Sequence, residues 1–303
     1  MKNQMLSRKH SETLFYVLLD IPALLLVIAF IIIPIFDSIV KSFMAYGVRN
    51  IISGTPGVWN DFKNYLYIFK LDVFSMATVN TFAFVIGVVL VQFVLAILLA
   101  LTLNTDIKGA RFMRSIMMTP WVVPTVISAL IWMWIFQPQY GLLKYLVGVI
   151  SGSRITDFAI LNNPTTALSG VGIAALWKQI PLMTLLFLAG LQNVPQDIME
   201  AAMIDGAGKF RRFFSIILPY LSPVIKVSVS MSIIENFKQF PLFWTMTGGG
   251  PNNSTTTLAV LSYREAFVRN DLGSGAAVTT LWMVMMIVVV FMYNRVYRTR
   301  EVV

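Results

Sequence analysis

The 303-residue sequence has no cysteine and a single histidine, and only 12% of its residues are charged. Without cysteine it can form neither disulfide bonds nor thiolate metal sites, and His10 has no second histidine with which to share a metal. We therefore expect no metal site and no histidine-based catalysis. A soluble globular protein carries about twice this charged fraction. Together with 57% hydrophobic residues, the low charge predicts an integral membrane protein.

The basic residues do not form the pattern of a nucleic-acid-binding protein. The net charge is +9, but the lysines and arginines are scattered in small groups between long apolar runs. Six of these runs are long enough for a helix of roughly 20 residues to cross a bilayer. We therefore predict an all-α membrane protein with six transmembrane helices, at residues 17–36, 78–103, 115–136, 168–191, 223–246 and 275–296.

Lysine and arginine are unevenly divided between the two sides that these spans would separate. The two tails and the second and fourth loops hold twelve of them, whereas the longer first, third and fifth connections hold eight. Because cytoplasmic loops carry the excess, we predict that both termini are cytoplasmic, with residues 1–13 as a tail and 14–303 as the membrane domain. The first span is too long for the apolar core of a signal peptide, so we expect it to remain in the mature protein.

The loop at residues 193–222 has the pattern of two short helices around a glycine turn. Pro195 favours the start of the first helix, and Gly206 favours its end. Phenylalanines then give the second helix an apolar stripe. The pattern by itself also fits an amphipathic pair at the headgroup level, with Arg211 and Arg212 near anionic lipid.

The same loop contains a spaced motif, whose parts in chain order are Glu200-Ala201-Ala202, Gly206, Ile216 and Leu218-Pro219. It resembles the EAA motif, E-A-A-x3-G-x9-I-x-L-P, of permease subunits in binding-protein-dependent ABC importers. The segments 248–251 and 255–257 further resemble the maltose-type, carbohydrate-uptake branch of that family. The similarity covers nearly the whole chain from Phe15 onward.

This resemblance implies the type I ABC importer transmembrane-domain fold, in the cytoplasmic membrane of a bacterium or archaeon. In that family the EAA loop docks into a cleft of a cytoplasmic ATPase and transmits its closure to the membrane helices. The expected partners are a second, MalG-like permease subunit, two ATPase subunits, an extracytoplasmic substrate-binding protein and membrane lipid, but no nucleic acid. The residues implied in ATPase coupling are Glu200, Ala201, Ala202, Asp205 and Gly206.

The Gly208-Lys209 dipeptide only superficially resembles a phosphate-binding loop. Met203 occupies the position of the required earlier glycine, and Phe210 that of the serine or threonine. We therefore expect this chain not to be an enzyme and to hold no cofactor, with ATP and magnesium bound by the partner ATPase.

The fifth predicted span has a polar face. On a helical wheel its hydrogen-bonding residues fall within a sector of about 100°. Such a face is costly against lipid, so it should line either a cavity or a contact between helices. The residues alone leave both open, including an intrahelical pair of Glu235 with Lys238. The face consists of Ser228, Ser232, Glu235, Asn236 and Gln239.

Prolines interrupt the third and fourth spans and free backbone carbonyls there. The resemblance to the carbohydrate branch implies a set of sugar-contacting residues, to which the polar face adds Glu235. The branch's chemical type is kept at several of these positions, but Lys178, Gln179 and Leu182 depart from it, which argues against maltose itself. The implied substrate-binding set is Trp121, Thr125, Lys178, Gln179, Leu182, Ser232, Glu235, Asn236 and Gln239.

The sequence thus predicts half of a pore that imports a carbohydrate, in particular an oligosaccharide, delivered by a binding protein. Within the family, a glycerophosphodiester or another polyol stays open as the substrate, because Lys178 could meet a phosphate. An ion-driven carrier with Glu235 as the coupling group is an alternative from another class. An intramembrane enzyme is a third, although the spans contain no histidine, cysteine or paired carboxylates.

Overall fold

The computed structural model describes residues 19–104, 109–151 and 159–297, so the predicted tail at 1–13 lies outside the described residues. Nearly all regular structure in this part of the chain is helical, which confirms the predicted all-α class. Two short strands, β1 (Met44–Ala45) and β2 (Val58–Trp59), pair antiparallel. The helices are α1 Leu19–Lys41, α2 Val48–Ser53, α3 Lys63–Phe69, α4 Asp72–Leu103, α5 Ala110–Met117, α6 Thr119–Val122, α7 Thr125–Ile135, α8 Leu142–Ser151, α9 Ala167–Gln192, α10 Gln196–Ile204, α11 Lys209–Phe237, α12 Pro241–Met246, α13 Leu258–Tyr263 and α14 Leu272–Val296.

Each of the six predicted spans has a counterpart among these helices. Five helices are long and apolar enough to cross a membrane by themselves, namely α1, α4, α9, α11 and α14. The sixth counterpart is a pair of helical segments, Phe112–Val122 and Thr125–Ile135, which meet at an angle of 97°. The third span predicted at 115–136 is thus broken within the stretch where prolines were expected to interrupt it. The helix breaks because Pro124 has no backbone N–H and disfavours a helical conformation at Val123, which is extended with ψ 130°.

The fifth span also differs from its predicted bounds of 223–246. Its helix α11 begins fourteen residues earlier, at Lys209, and ends at Phe237, and α12 follows as a separate helix. A π-helical turn at Phe213–Ile217 lies just before Pro219, so the helix continues through the proline instead of ending there. The second helix of the 193–222 loop is therefore not a short separate element but the beginning of a transmembrane helix.

The described chain divides into two compact units. Of the described residues, the first comprises 19–68 and 264–280, and polar contacts hold it together. The Asn64 amide donates hydrogen bonds to the carbonyl oxygens of Ser42 and Met44, both at 2.9 Å. The backbone N–H of Gly273 donates to the Tyr46 carbonyl at 2.8 Å. These bonds bring the start of α14 against the segment that follows α1.

The second unit comprises residues 69–263 and 281–303, and its core lies where α4, α9 and α11 pack together. Aromatic side chains join the elements: Phe84 meets Phe243 edge-on at 4.7 Å between ring centroids, and Phe93 meets Phe187 at 5.6 Å. Such edge-to-face pairs contribute about 0.5–1.5 kcal/mol each beyond the area that they bury. The three long helices therefore form a fixed frame for the side chains between them.

Hydrogen bonds also hold the glycine-rich segment between α12 and α13 against α4. The Asn80 amide of α4 donates to the carbonyls of Asn253 and Thr256, both at 3.0 Å. The neighbouring Thr81 hydroxyl accepts the N–H of Leu258 at 2.9 Å. Gly249 has a φ of +94°, which other residues rarely adopt. The segment that resembles the carbohydrate branch is thus an ordered turn held by α4.

A substitution at Gly273 tests how closely the start of α14 approaches the backbone of Met44 in the first unit. A Cβ atom there would lie 2.2 Å from the carbonyl oxygen of Met44. We expect Gly273→Ala to destabilise the protein by about 1–3 kcal/mol, because the backbone must move to relieve the overlap. Gly87→Ala is the matched control, since nothing lies within 4 Å of a Cβ at that helical position. Thermal unfolding of both variants measures the effect, and equal melting temperatures would contradict the predicted overlap.

Candidate functional site

A cavity of about 320 Å³ lies in the second unit, bounded by α4, α9, α11 and the break between α6 and α7. It brings together residues from four separate parts of the chain, including eight of the nine predicted substrate-binding residues. Those eight are Trp121, Thr125, Lys178, Gln179, Leu182, Ser232, Glu235 and Gln239. The remaining lining residues are Gln92, Met183, Leu186, Ser228 and Met231.

Lys178, on α9, forms hydrogen bonds to the broken third span. Its ammonium group donates to the carbonyl oxygen of Trp121 at 3.3 Å and to that of Val123. These carbonyls lie at the end of α6, where the break in the helix leaves them without helical N–H partners. Because an ammonium group has three N–H donors, one donor remains for the cavity. Lys178 therefore both stabilises the bend and lines the site.

Gln179 and Asn236 form a reciprocal amide pair between α9 and α11. The Asn236 amide donates to Gln179 Oε1 at 2.9 Å, and the Gln179 amide donates back to Asn236 Oδ1 at 3.2 Å. Asn236 also donates to the Ser232 carbonyl and is only 2% exposed. It is absent from the cavity lining, unlike Gln179. The structure thus places Asn236 behind the cavity wall, where it orients Gln179 rather than facing a ligand.

Gln92 is a lining residue that the sequence analysis missed. Its carbonyl oxygen accepts the Ser232 hydroxyl at 2.6 Å, and its amide donates to the Gln179 backbone carbonyl at 3.2 Å. It is the only side chain between Phe82 and Leu101 with a hydrogen-bonding group. A lone amide within a membrane span needs a hydrogen-bond partner inside the protein. The position of Gln92 in an otherwise apolar stretch could therefore have identified it from the sequence as a residue that faces other helices.

The polar face of α11 combines both roles that its sequence left open. Glu235 lines the cavity but is also exposed and pairs with Lys238 at 3.1 Å, as expected for an intrahelical pair. Such an exposed pair contributes little to stability. The Ser228 hydroxyl is buried and has no hydrogen-bond partner within the described segments. Gln239 was predicted on this face but lies two residues beyond the end of α11; it reaches the cavity from there, and its side chain makes no hydrogen bond to the described residues, so it remains available to a ligand.

The chemistry of the cavity suits a neutral polar ligand. Trp121 offers a half-exposed indole ring, and Leu182 adds an apolar surface. Amides and hydroxyls line the same cavity, and the charges of Lys178 and Glu235 are of opposite sign. Apolar walls with a few converging polar groups are typical of ligand sites, whose volumes start near about 300 Å³. The cavity therefore accommodates a small ligand or one end of a larger one.

The residues predicted for ATPase coupling lie outside this cavity, on α10 and the turn after it. Gly206 has a φ of +72°, and its N–H bonds to the Met203 carbonyl at 3.1 Å, so it ends α10 as the sequence predicts. Glu200 and Asp205 are exposed, and Ile204 at the end of the helix is 87% exposed. An apolar side chain presented in this way is typical of a contact surface for another protein.

Residues 92–301 match the family model described as the binding-protein-dependent transport system inner membrane component. The chain is 34% identical over 302 residues to the trehalose/maltose transport system permease protein MalF of Thermococcus litoralis, covering 99% of this chain and 100% of that protein. It is 33% identical over 290 residues to the sulfoquinovosyl glycerol transport system permease protein SmoG of Agrobacterium fabrum, covering 96% and 92% respectively.

A solved structure of a bacterial ABC transporter involved in the import of the acidic polysaccharide alginate has a similar fold. The superposition has a TM-score of 0.80 and covers 98% of this chain and 99% of the matched chain, at 20% identity. This likeness confirms the predicted transmembrane fold of an ABC importer. The chain therefore belongs to the family of binding-protein-dependent transport system inner membrane components, and it is a multi-pass transport subunit of the cytoplasmic membrane.

Proposed function

We propose that this chain forms half of the translocation pathway of an ATP-driven importer for a carbohydrate, in particular an oligosaccharide. The observation that carries the proposal is the cavity between α4, α9, α11 and the broken span, which combines Trp121 with amide and hydroxyl groups. The relatives named for trehalose/maltose and for sulfoquinovosyl glycerol support a glycoside as the substrate. An extracytoplasmic binding protein would deliver the sugar to the pore from outside the cell.

The lining residues would contribute apolar, hydrogen-bonding and wall-forming contacts in this proposal. The Trp121 ring packs against the C–H face of a sugar ring, while Gln179, Gln239 and Ser232 bond its hydroxyls. Thr125 and Leu182 complete the wall on the two sides of the bend. A bound ligand removes these amides and hydroxyls from water, and an amide or hydroxyl left without a hydrogen-bond partner costs free energy. The site therefore favours ligands whose own groups supply those partners.

Three observations weigh against the alternatives of a glycerophosphodiester substrate and of an ion-driven carrier. Two of the three Lys178 donors already bond backbone carbonyls, which favours a neutral sugar over a glycerophosphodiester. Glu235 is exposed and paired with Lys238, whereas an ion-coupling carboxylate in a carrier is expected to be buried among helices. Membership in a binding-protein-dependent family also argues for an importer rather than an ion-driven carrier.

The same proposal includes the partners. Two ATPase subunits would bind ATP and magnesium, and one would receive the exposed turn that contains Glu200, Asp205 and Gly206 in its cleft. A second, MalG-like permease would supply the other half of the pore. The side chains of α1 within its apolar window are all exposed, which is consistent with a helix that packs on another subunit or on lipid. Ala201 and Ala202 keep α10 narrow where it enters the cleft.

Gln239→Leu tests direct contact with the substrate. Gln239 lines the cavity without bonding to the described residues, so its replacement removes ligand contacts and leaves the fold intact. A lost pair of hydrogen bonds, each worth about 0.5–1.5 kcal/mol, predicts roughly tenfold weaker uptake at low substrate. Uptake of labelled oligosaccharide into proteoliposomes, with the thermal stability of the same preparation, is the measurement.

Asn236→Leu is the matched control for that variant. It deprives Gln179 and the Ser232 carbonyl of a buried partner, so we expect a lower melting temperature and reduced yield as well as reduced uptake. Normal uptake by Gln239→Leu at low substrate would remove Gln239 from the substrate site. A stability loss in Gln239→Leu as large as that of Asn236→Leu would assign it a structural role instead.

Gly206→Val tests the coupling turn. The φ of +72° strongly disfavours a β-branched residue, so the variant should misplace α10 relative to α11. We expect substrate-stimulated ATPase activity of the complex to fall at least about tenfold while membrane insertion persists. Gly208→Ala serves as the control, because Gly208 has an ordinary φ of −64° and open space around its Cα. Full stimulation in Gly206→Val would exclude a coupling role for the turn.

Co-purification tests the proposed assembly. Affinity purification of the tagged full chain from its native membrane should yield a second, non-identical permease and an ATPase in a ratio of one to two. Mass spectrometry of the intact complex measures this composition. A homodimer that imports substrate without another permease would contradict the proposed pore.

A further inference from the structure

A second cavity, of about 550 Å³, lies in the same unit at the other end of α4 from the glycine-rich segment. Ile97, Leu98 and Leu101 of α4 form one wall, and the first turns of α11 form the other, with Phe210 and Phe214 at its edge. Nearly all of its lining is apolar, and the two phenylalanines are 83% and 60% exposed. We refer to this cavity as the α4–α11 groove.

Among the residues that the structure describes, the charged ones that line the groove are Lys209 and Arg212, both at the start of α11. The Arg212 Nε atom is buried and has no hydrogen-bond partner among the residues that the structure describes. A buried N–H of a guanidinium group without an acceptor costs free energy, and a phosphate oxygen is the acceptor that arginine binds best. One end of the groove is therefore positively charged, and the Arg212 Nε–H there is a hydrogen-bond donor without an acceptor among the described residues.

The position of the groove along α4 indicates the kind of ligand. The helix ends at Leu103, so Leu101 and Ile97 lie about 3 Å and 9 Å inside that end at 1.5 Å per residue. The apolar walls thus reach into the membrane-spanning part, whereas Lys209 and Arg212 lie at its boundary. The unequal distribution of lysine and arginine predicts that this boundary faces the cytoplasm.

We propose that the α4–α11 groove binds one anionic phospholipid of the cytoplasmic leaflet. Lys209 and Arg212 would hold its phosphate, and an acyl chain would lie between α4 and the π-helical turn of α11. Basic pockets between transmembrane helices on the cytoplasmic side recognise anionic headgroups in this way. The lipid would contact α11 directly after the coupling turn at Gly206, and so at the end of the helix that also lines the ligand cavity.

Photolabelling tests this assignment. The full chain, purified with its co-purifying subunits, is reconstituted into phosphatidylcholine nanodiscs that contain a minor fraction of phosphatidylglycerol with a photoreactive acyl chain. Peptide mapping should find label in residues 97–101 or 210–217. Matched photoreactive phosphatidylcholine should label these residues several-fold less, because it lacks the net negative charge.

Two pairs of variants separate the headgroup from the acyl chain. Replacement of Lys209 and Arg212 together by Gln should reduce phosphatidylglycerol labelling of the groove about thirtyfold, since each cation near the surface contributes about fivefold. Arg211→Gln, which removes a neighbouring exposed cation outside the groove, should change it less than about twofold. Leu98→Trp should block labelling by filling the groove, whereas Leu99→Trp, on the next exposed position of α4, should not.

Equal labelling by the two lipids, or equal loss in the Arg211→Gln control, would overturn the recognition of an anionic headgroup. Lipid label absent from both segments, as expected if a helix of another subunit fills the groove, would overturn the lipid site altogether. Labelling requires no transport, so its outcome is independent of the proposed substrate. A chain that transports no carbohydrate would still be labelled if the lipid assignment is correct.

Discussion

The hydrogen-bond network among Gln92, Gln179, Ser232 and Asn236 is the interaction on which the ligand cavity depends. It ties α4, α9 and α11 together within the membrane-spanning part of the chain. An amide in the hydrocarbon core has no water to bond, so each of these groups must find its partner inside the protein. The network thereby fixes the relative rotation of the three helices, and with it the side chains that face the cavity.

The bend at Val123 and Pro124 opens the space beside this network. A straight third span would have filled the space with its own side chains and left Lys178 without acceptors. The break instead leaves two carbonyls at the end of α6 without helical partners, and the lysine of α9 satisfies them. Irregular backbone within a membrane persists where it lines a cavity or is bonded to neighbouring helices, and both conditions hold here. The same lysine thus accounts for the bend and for a positive charge at the site.

Helix α11 connects the two proposed functional regions physically. Its 29 residues begin three positions after Gly206 and end beyond Ser232 and Asn236, so one helix extends from the coupling turn to the cavity wall. Displacement of the turn would therefore be transmitted along a stiff element rather than through a loop. The π-helical turn at Phe213–Ile217 is the one irregular stretch in this helix, and the α4–α11 groove lies against it. A lipid bound there would contact α11 between the turn and the cavity.

The sequence by itself determined the features that depend on local periodicity and backbone geometry. The lengths of the apolar runs predicted the spans, Gly206 predicted the end of α10, and helical spacing placed Ser232 and Glu235 on one face of α11. Tertiary structure decided which polar groups meet. Asn236 lies on the predicted face yet is buried behind Gln179, and Gln92 became a lining residue only because α4 packs against α11. Likewise the prolines predicted an interruption of the third span, but not its angle of 97° or the bonds from Lys178. The physical reason is that periodicity assigns a side chain to a face of its own helix, whereas its partners come from helices far away in the sequence, whose rotation and depth are set by packing.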